Sequence, residues 1–459
     1  MPRPRWRWRA CRRPKSGSGW LLLRPLPLFP PALSLEIPFA ALPVSPADFR
    51  AQALRWAAQF AYCAYYEPHG LSYPHGPFSQ LLGVAAAADP SPETLAELRD
   101  WLRPDSGAAP RCGFLTYDLK NEVEALHSRH FDGLGWPALH FFRPRTWLTW
   151  HPDSVAIHGT TAGVLEAILA TELLDNQAAA VGLMRPRLPK TEYLAAVDSI
   201  REDILSGEVY ELNLCQEFYA ENVALDPVDT FLRLSAASPT PFAGFYKWQD
   251  RYLLCASPER FLRRTGSQLI SQPIKGTIRR GATPAEDEAL RQQLRHDEKE
   301  QAENLMIVDL VRNDLARVAQ TGSVTVPELF GLYPFRHVWQ MLSTVAAELR
   351  PGPDLVDILR ATFPMGSMTG APKIRAMQLI EHYERTRRGL YSGSLGYVWP
   401  NGDFDFNVVI RSLQYRADTG YLSFQVGSAI TYDSDAQREY DECLLKARAL
   451  LDVLGAAVE

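Results

Sequence analysis

Strand-like segments in this chain come in runs, and that grouping constrains the fold more than any other feature. "EVYELNLCQEFYA" (208–220) and "DRYLLCASPERFLRR" (250–264) are rich in Tyr, Val and Leu, and "GLYSGSLGYV" (389–398), "FNVVIRSL" (406–413) and "QVGSAITYDSD" (425–435) follow. Runs without regular βαβ alternation favour an α+β fold built on antiparallel sheets over a doubly wound parallel sheet. Nearer the N-terminus, Ser45, Pro46 and Asp48 read as a helix start, with Phe49, Ala53, Trp56 and Phe60 at helical spacing. "CGFLTYDL" (112–119) reads as a strand and "TWLTWHPDSVAIHG" (146–159) as a hairpin turning at Pro152 and Asp153. A helix is expected over 165–175, then a Pro-rich connector, "MRPRLPKT" (184–191), with Thr191 as N-cap of the next helix.

Composition narrows the function classes. The 459 residues are 46% hydrophobic and 22% charged, enough for a large core. A net charge of -5 gives no electrostatic reason to expect nucleic acid. Cys11, Cys63, Cys112, Cys215, Cys255 and Cys443 are scattered and form no C-x-x-C pair, so neither a zinc site nor a disulfide framework is indicated, and a cytoplasmic location is expected. The first stretch, "MPRPRWRWRACRRPKSGSGW", is Arg-rich and acid-poor like a transit peptide or a nucleic-acid arm. Pro2, Pro4 and Pro14 oppose an amphipathic helix, and Arg24, Pro25 and Pro27 break the following apolar run, so no membrane span is expected. Residues 1–33 are read as a disordered or misassigned arm.

Three features carry chemistry. In "PIKGT" (273–277), Lys275 stands between an Ile that reads as a strand end and a Gly-Thr pair that reads as a tight turn, where an apolar or small residue fits better. Two helical patterns, 297–318 and 438–454, carry Glu300 with Glu303 and Glu439 with Glu442. Carboxylates at i, i+3 repel, costing a few tenths of a kcal/mol. Either these are solvated faces, or two distant helices converge on Mg2+, a hard cation held by carboxylate oxygens. Arg411 sits in an apolar strand pattern, where a guanidinium is costly unless a core ion pair or a bound anion compensates it. The glycine-rich stretch "FPMGSMTGAPKIRAMQLIEHYE" (363–384) runs into a helix with Pro372 near its first turn. It lacks the order of a phosphate-binding P-loop, yet offers free N–H groups to a carboxylate.

"SPERF" (257–261), "PIKGT" (273–277), "DLVRNDLARV" (309–318), "TGAPKIRAM" (369–377), "GLYSGSLGY" (389–397) and "VGSAITYDSDAQREYDECLLKA" (426–447), in this order, resemble the chorismate-utilising enzymes. The match is specific over roughly 190–455 and looser over 34–183. It implies antiparallel sheets packed as a sandwich with helices outside, in four α/β/β/α layers. Residues 34–183 would form the N-terminal part of that fold and 184–459 the chorismate-binding catalytic region.

The resemblance also assigns roles. Glu303 and Glu442 match positions that bind Mg2+, with Glu300 and Glu439 beside them. Tyr391, Arg411, the backbone at Gly427 and Lys446 match positions that hold the substrate carboxylates. Gly276 and Thr277 line the ring, and Ser367 adds a polar contact. Members that add water at C2 carry a lysine base in the strand where this chain has Gln216, and an amide cannot take that proton. Members that aminate C2 to give anthranilate typically have alanine before the Gly-Thr. Here that residue is Lys275, as in members that aminate C4, and anthranilate formation is the alternative. Lys275 is expected to attack C2 covalently, with Glu259 as the acid for the departing hydroxyl and His337 near the ring. Desolvation is expected to lower the Lys275 pKa, with the substrate's carboxylates opposing. No cysteine lies in G-x-C-x-G, so ammonia is expected from a separate glutamine amidotransferase chain.

Overall fold

The structure, a computed structural model, describes residues 34–87, 90–103, 107–173 and 181–459, so the reading of 1–33 lies outside the described residues. Among them, twenty-two strands form two sheets of thirteen and nine, antiparallel except where Ala456–Val458 runs parallel to Gly182–Pro186. Alternation along the strands assigns the layers. In Tyr62–Glu67, Tyr62, Ala64 and Tyr66 enter the core between the sheets, while Cys63 and Tyr65 pack toward helices. Phe114, Phe242, Tyr246 and Leu395 fill the same inter-sheet layer, with the rings of Phe114 and Tyr246 edge-on at 5.1 Å. Each such ring contributes roughly 1.5–3 kcal/mol by leaving water.

Helices cover both outer faces. Pro46–Ala57, Lys190–Leu205, Pro227–Ala237, Lys373–Tyr383 and Ala436–Leu454 lie on the larger sheet, and Leu95–Trp101, Glu298–Ala316 and Leu355–Thr362 on the smaller. The four-layer sandwich expected above is therefore present. Residues before 183 and after 184 share both sheets: Tyr62–Glu67 pairs with Phe242–Trp248, and Arg111–Leu115 with Ser394–Val398. Cys63, Cys112, Cys215, Cys255 and Cys443 are buried and unbridged. No helix among the described residues is long and apolar enough to cross a membrane.

Several local expectations need correction. The segment 112–119 is a strand only through Leu115, because a 3-10 turn, Tyr117–Leu119, follows. The helix expected at 165–175 is the short Val164–Leu169. The connector at 184–191 overlaps a strand, Gly182–Pro186, which pairs with Glu211–Ala220 at Arg185 and Pro186, near the edge of the larger sheet, where proline is tolerated. Thr191 is not an N-cap: Lys190–Leu205 starts after Pro189, two residues earlier than expected and without a side-chain cap, so Thr191 lies inside the helix. Arg411 lies between two strands, Phe404–Asn407 and Ser412–Arg416, at a φ of 52°.

Candidate active site

Lys275 answers to a bulge. Ile274–Arg279 is one continuous strand pairing with Val338–Glu348, but the register slips between Ile274 and Thr277. The expected tight turn is thus a β-bulge, which re-aims a side chain without ending the strand. Gly276 supplies the required φ of 98°. Asn304, buried in the helix Glu298–Ala316, braces the bulge: its Nδ2 donates to the Lys275 carbonyl at 3.2 Å and its Oδ1 accepts from Ser343 at 2.6 Å. The Lys275 side chain, only 11% exposed, turns inward, and Nζ donates to Glu211 Oε1 at 2.7 Å and stands 3.8 Å from Glu303 Oε2.

The two acid-bearing helices face each other across this point. Asp297 caps Glu298–Ala316 and Asp435 caps Ala436–Leu454, which places Glu300 and Glu439 in their first turns. Lys299 Nζ lies 3.8 Å from Glu303 Oε1 and 3.9 Å from Glu439 Oε1, so a single ammonium reaches a carboxylate of each helix. Glu442 pairs with Lys446 at 2.6 Å, and Lys446 also donates to the Gly427 carbonyl at 2.9 Å. Glu300 comes close behind Gly276, where an added Cβ would stand 3.2 Å from its Oε2. Among the described residues no three His, Cys, Asp or Glu groups stand assembled as a metal cluster. The donor type nevertheless fits a hard divalent cation, since one carboxylate from each helix already approaches the same ammonium.

Electrostatics follow from burial and crowding. Burial raises Glu300 to about 7, with the Glu303 and Glu442 carboxylates adding to the shift. Burial also raises Glu303, with Lys275 opposing. In Glu442 burial is outweighed by Lys446, which keeps the carboxyl below its ordinary value. Lys275 overturns the expectation of a lowered pKa. Burial pulls it down, but the Glu211 and Glu303 carboxylates win and hold it as a firmly charged ammonium.

Glu259 feels the Lys275 charge without pairing with it. Its carboxyl is buried, accepts from Ser367 Oγ at 2.7 Å, and is raised by burial to about 7, poised between acid and base. Arg411 is half-buried and has no carboxylate partner among the described residues, so the core ion pair is excluded. Burial disfavours its charge, and Tyr391 and Glu442 offset this only in part, from beyond ion-pair distance. The Tyr391 hydroxyl accepts a long bond from the Cys215 thiol at 3.8 Å. A cationic side chain that is neither paired nor free in water is prepared for an anion.

Two assignments fail on geometry. Along Glu211–Ala220 the odd positions face the other sheet, as Glu211 and Cys215 show by bonding Lys275 and Tyr391. Gln216 falls on the opposite face, with Leu214 and Phe218, whose contacts are in the helix-side core. The strand position that meets Lys275 is Glu211. His337 is exposed before Val338–Glu348, and its ring is engaged by the Ala237 carbonyl at 3.1 Å. Thr277 is exposed at the rim, next to Gln340, whose buried Oε1 lacks a partner. Glu211, Lys299 and Asn304 were not anticipated from sequence. The signal for Glu211 was present: "ELNLC" alternates polar and apolar, which puts Glu211 and Asn213 on the inward face.

Comparison with known proteins places this site in context. A sequence profile described as chorismate binding enzyme matches residues 66–452. Aminodeoxychorismate synthase component 1 of Bacillus subtilis is 37% identical over 370 residues, covering 76% of this chain and 77% of that protein. Anthranilate synthase component 1 of Cereibacter sphaeroides is 34% identical over 367 residues, covering 75% and 73%. A probable chloroplastic aminodeoxychorismate synthase of rice is 44% identical over 263 residues, 57% of this chain but only 29% of that longer protein. Among solved structures, anthranilate synthase component I from Streptococcus pneumoniae superposes with a TM-score of 0.69 at 26% identity, covering 96% of this chain and 95% of that one. The profile match, the relatives and the shared fold agree with the motifs, and the chain belongs to the chorismate binding enzyme family.

Proposed function

We propose that the protein is an aminodeoxychorismate synthase component 1, which converts chorismate and ammonia to 4-amino-4-deoxychorismate for 4-aminobenzoate and folate synthesis. The observation that carries this reading is the amine of Lys275, turned inward between Glu211 and Glu303 beside the buried carboxyl of Glu259. The Bacillus subtilis relative of that name supports it. Ammonia comes from a separate glutamine amidotransferase chain.

Arg411, Lys446 and Tyr391 bind the carboxylates of chorismate, and the Arg411 guanidinium trades an uncompensated position for a bidentate partner. Glu303 and Glu442, with Glu300 and Glu439 beside them, are the residues that would hold Mg2+. When bound, the ion supplies counter-charge to the ring carboxylate. Lys275 rests as an ammonium and first passes one proton to solvent, and its neutral Nζ then forms a bond to C2 as the two ring double bonds shift. Glu259 gives its proton to the C4 hydroxyl, which leaves as water. Ammonia then bonds to C4, the double bonds shift back, and the C2–Nζ bond breaks to release the neutral Lys275 amine, which takes its proton back from solvent. The proton lost from nitrogen restores Glu259, so the balance is chorismate and ammonia in, aminated product and water out. Dividing one displacement into two lower barriers is the benefit of the covalent step.

Incubating the purified chain with chorismate, Mg2+ and ammonium chloride, and identifying the product by mass and chromatography, tests the reading. The expected product is the 4-amino compound, and Lys275→Ala is expected to lose it or shift it toward 2-aminobenzoate. Formation of 2-aminobenzoate by the unmodified protein would instead make it an anthranilate synthase.

A further inference from the structure

Glu211 is a buried group in contact with Lys275 for which the reaction above has no use. It opens the strand Glu211–Ala220 in the thirteen-stranded sheet, while Lys275 belongs to the nine-stranded one, so their 2.7 Å contact spans the two sheets. The residue is fully buried, and its second oxygen, Oε2, has no partner. Its backbone is fixed from the glycine-rich loop: Tyr210 N–H donates to the Ala371 carbonyl at 2.7 Å, and Glu211 pairs with Ala371. Gly370 permits this approach, because a Cβ there would stand 2.1 Å from the Glu211 carbonyl oxygen. A rigidly mounted carboxylate keeping one oxygen unsatisfied bears a cost that its own packing does not explain.

We infer that Glu211 is a positioning residue for the covalent step: it holds Lys275 Nζ against the ring and so decides that amination occurs at C4 rather than C2. The inference rests on the proposed function. The lysine side chain has four rotatable bonds and three other acids near it, Glu303 at 3.8 Å and Glu259 and Glu442 further off. Only Glu211 lies within hydrogen-bonding distance. Without Glu211, the ammonium swings toward the helix carboxylates and leaves C2 open to ammonia.

The test uses the full chain, with Lys275→Ala as reference. Each variant is assayed for kcat, KM for chorismate and the ratio of 4-amino to 2-amino product. Peptide mass mapping then follows the Lys275 adduct, chorismate less water, formed when ammonium is withheld. Glu211→Ala is expected to lose about 10²-fold in kcat, the cost of roughly 1 Å of misplacement, with KM unchanged, the adduct absent and the 2-amino share raised. Glu211→Gln keeps an acceptor oxygen at the same reach and is expected to restore part of the rate and the adduct. It also serves if Glu211→Ala fails to fold. Unchanged kcat, adduct and product ratio in both folded Glu211 variants, with Lys275→Ala losing the 4-amino product, overturn the inference and leave the function standing. Full 4-amino formation by Lys275→Ala overturns the covalent step and the inference with it, whereas 2-aminobenzoate from the unmodified protein overturns the function.

Discussion

Single side chains here are defined by what they lack. Arg411 carries a charge in a half-dry place without an acid, a liability for the empty protein and an asset once a carboxylate arrives. Arg411→Gln should therefore raise KM for chorismate by about ten- to a hundredfold, the loss of a hydrogen bond to a charged group worth roughly 1.5–3 kcal/mol. Its urea midpoint should hold or rise, and steady-state kinetics beside equilibrium unfolding checks both. Glu259 offers the matching experiment in pH. Burial raises it to about 7, so its acid form is present below that value and is lost as the pH climbs through it. The rate should accordingly fall on the alkaline side, and Glu259→Gln should lower kcat and erase that limb of the profile.

Elements rather than residues decide where these groups point, and here the sequence was partly legible. The capped helices Glu298–Ala316 and Ala436–Leu454 could be read from apolar spacing, and with them the acid pairs. The bulge at Lys275 could not. A Gly-Thr pair after a lysine fits a turn as well as a slipped register, and only the partner strand decides between them. The same holds for Gln216: its motif fits, but strand parity, set by which face meets the other sheet, gives the contact to Glu211. His337 failed because an apolar context around a histidine does not reveal on which side of a strand end its ring emerges. Gly276→Ala tests the bulge directly. A methyl group at φ 98°, 3.1 Å from Met341 Cβ, should cost about 1–3 kcal/mol by urea unfolding and depress kcat more than it changes KM.

Over the whole molecule, the sandwich brings its chemistry together from both sheets and from the helices outside them. The aromatic layer between the sheets sets their spacing, so its integrity should matter to catalysis as well as stability. Phe114→Ala should lower stability by about 3–5 kcal/mol in urea unfolding, with residual activity tracking the folded fraction. A cation shared by Glu303 and Glu442 would tie together helices more than a hundred positions apart in sequence. Mg2+ should thus raise the thermal midpoint, by an amount equivalent to about 2.7 kcal/mol at a hundred times its Kd. Glu303→Gln and Glu442→Gln should each abolish that rise in a thermal melt. Grouped strand runs were enough to read an α+β fold on antiparallel sheets, and the family resemblance implied the four layers, whereas the inter-sheet contact of Glu211 depends on how two sheets dock.

The placement of Glu442 and Lys446 on the helix Ala436–Leu454 has a consequence for synthesis in the cell. A polypeptide still on the ribosome exposes Lys275 and the acids of Glu298–Ala316 long before that helix has been translated. Premature stops upstream of residue 436 would release fragments that keep Lys275, Glu300 and Glu303 but lack Glu439, Glu442 and Lys446.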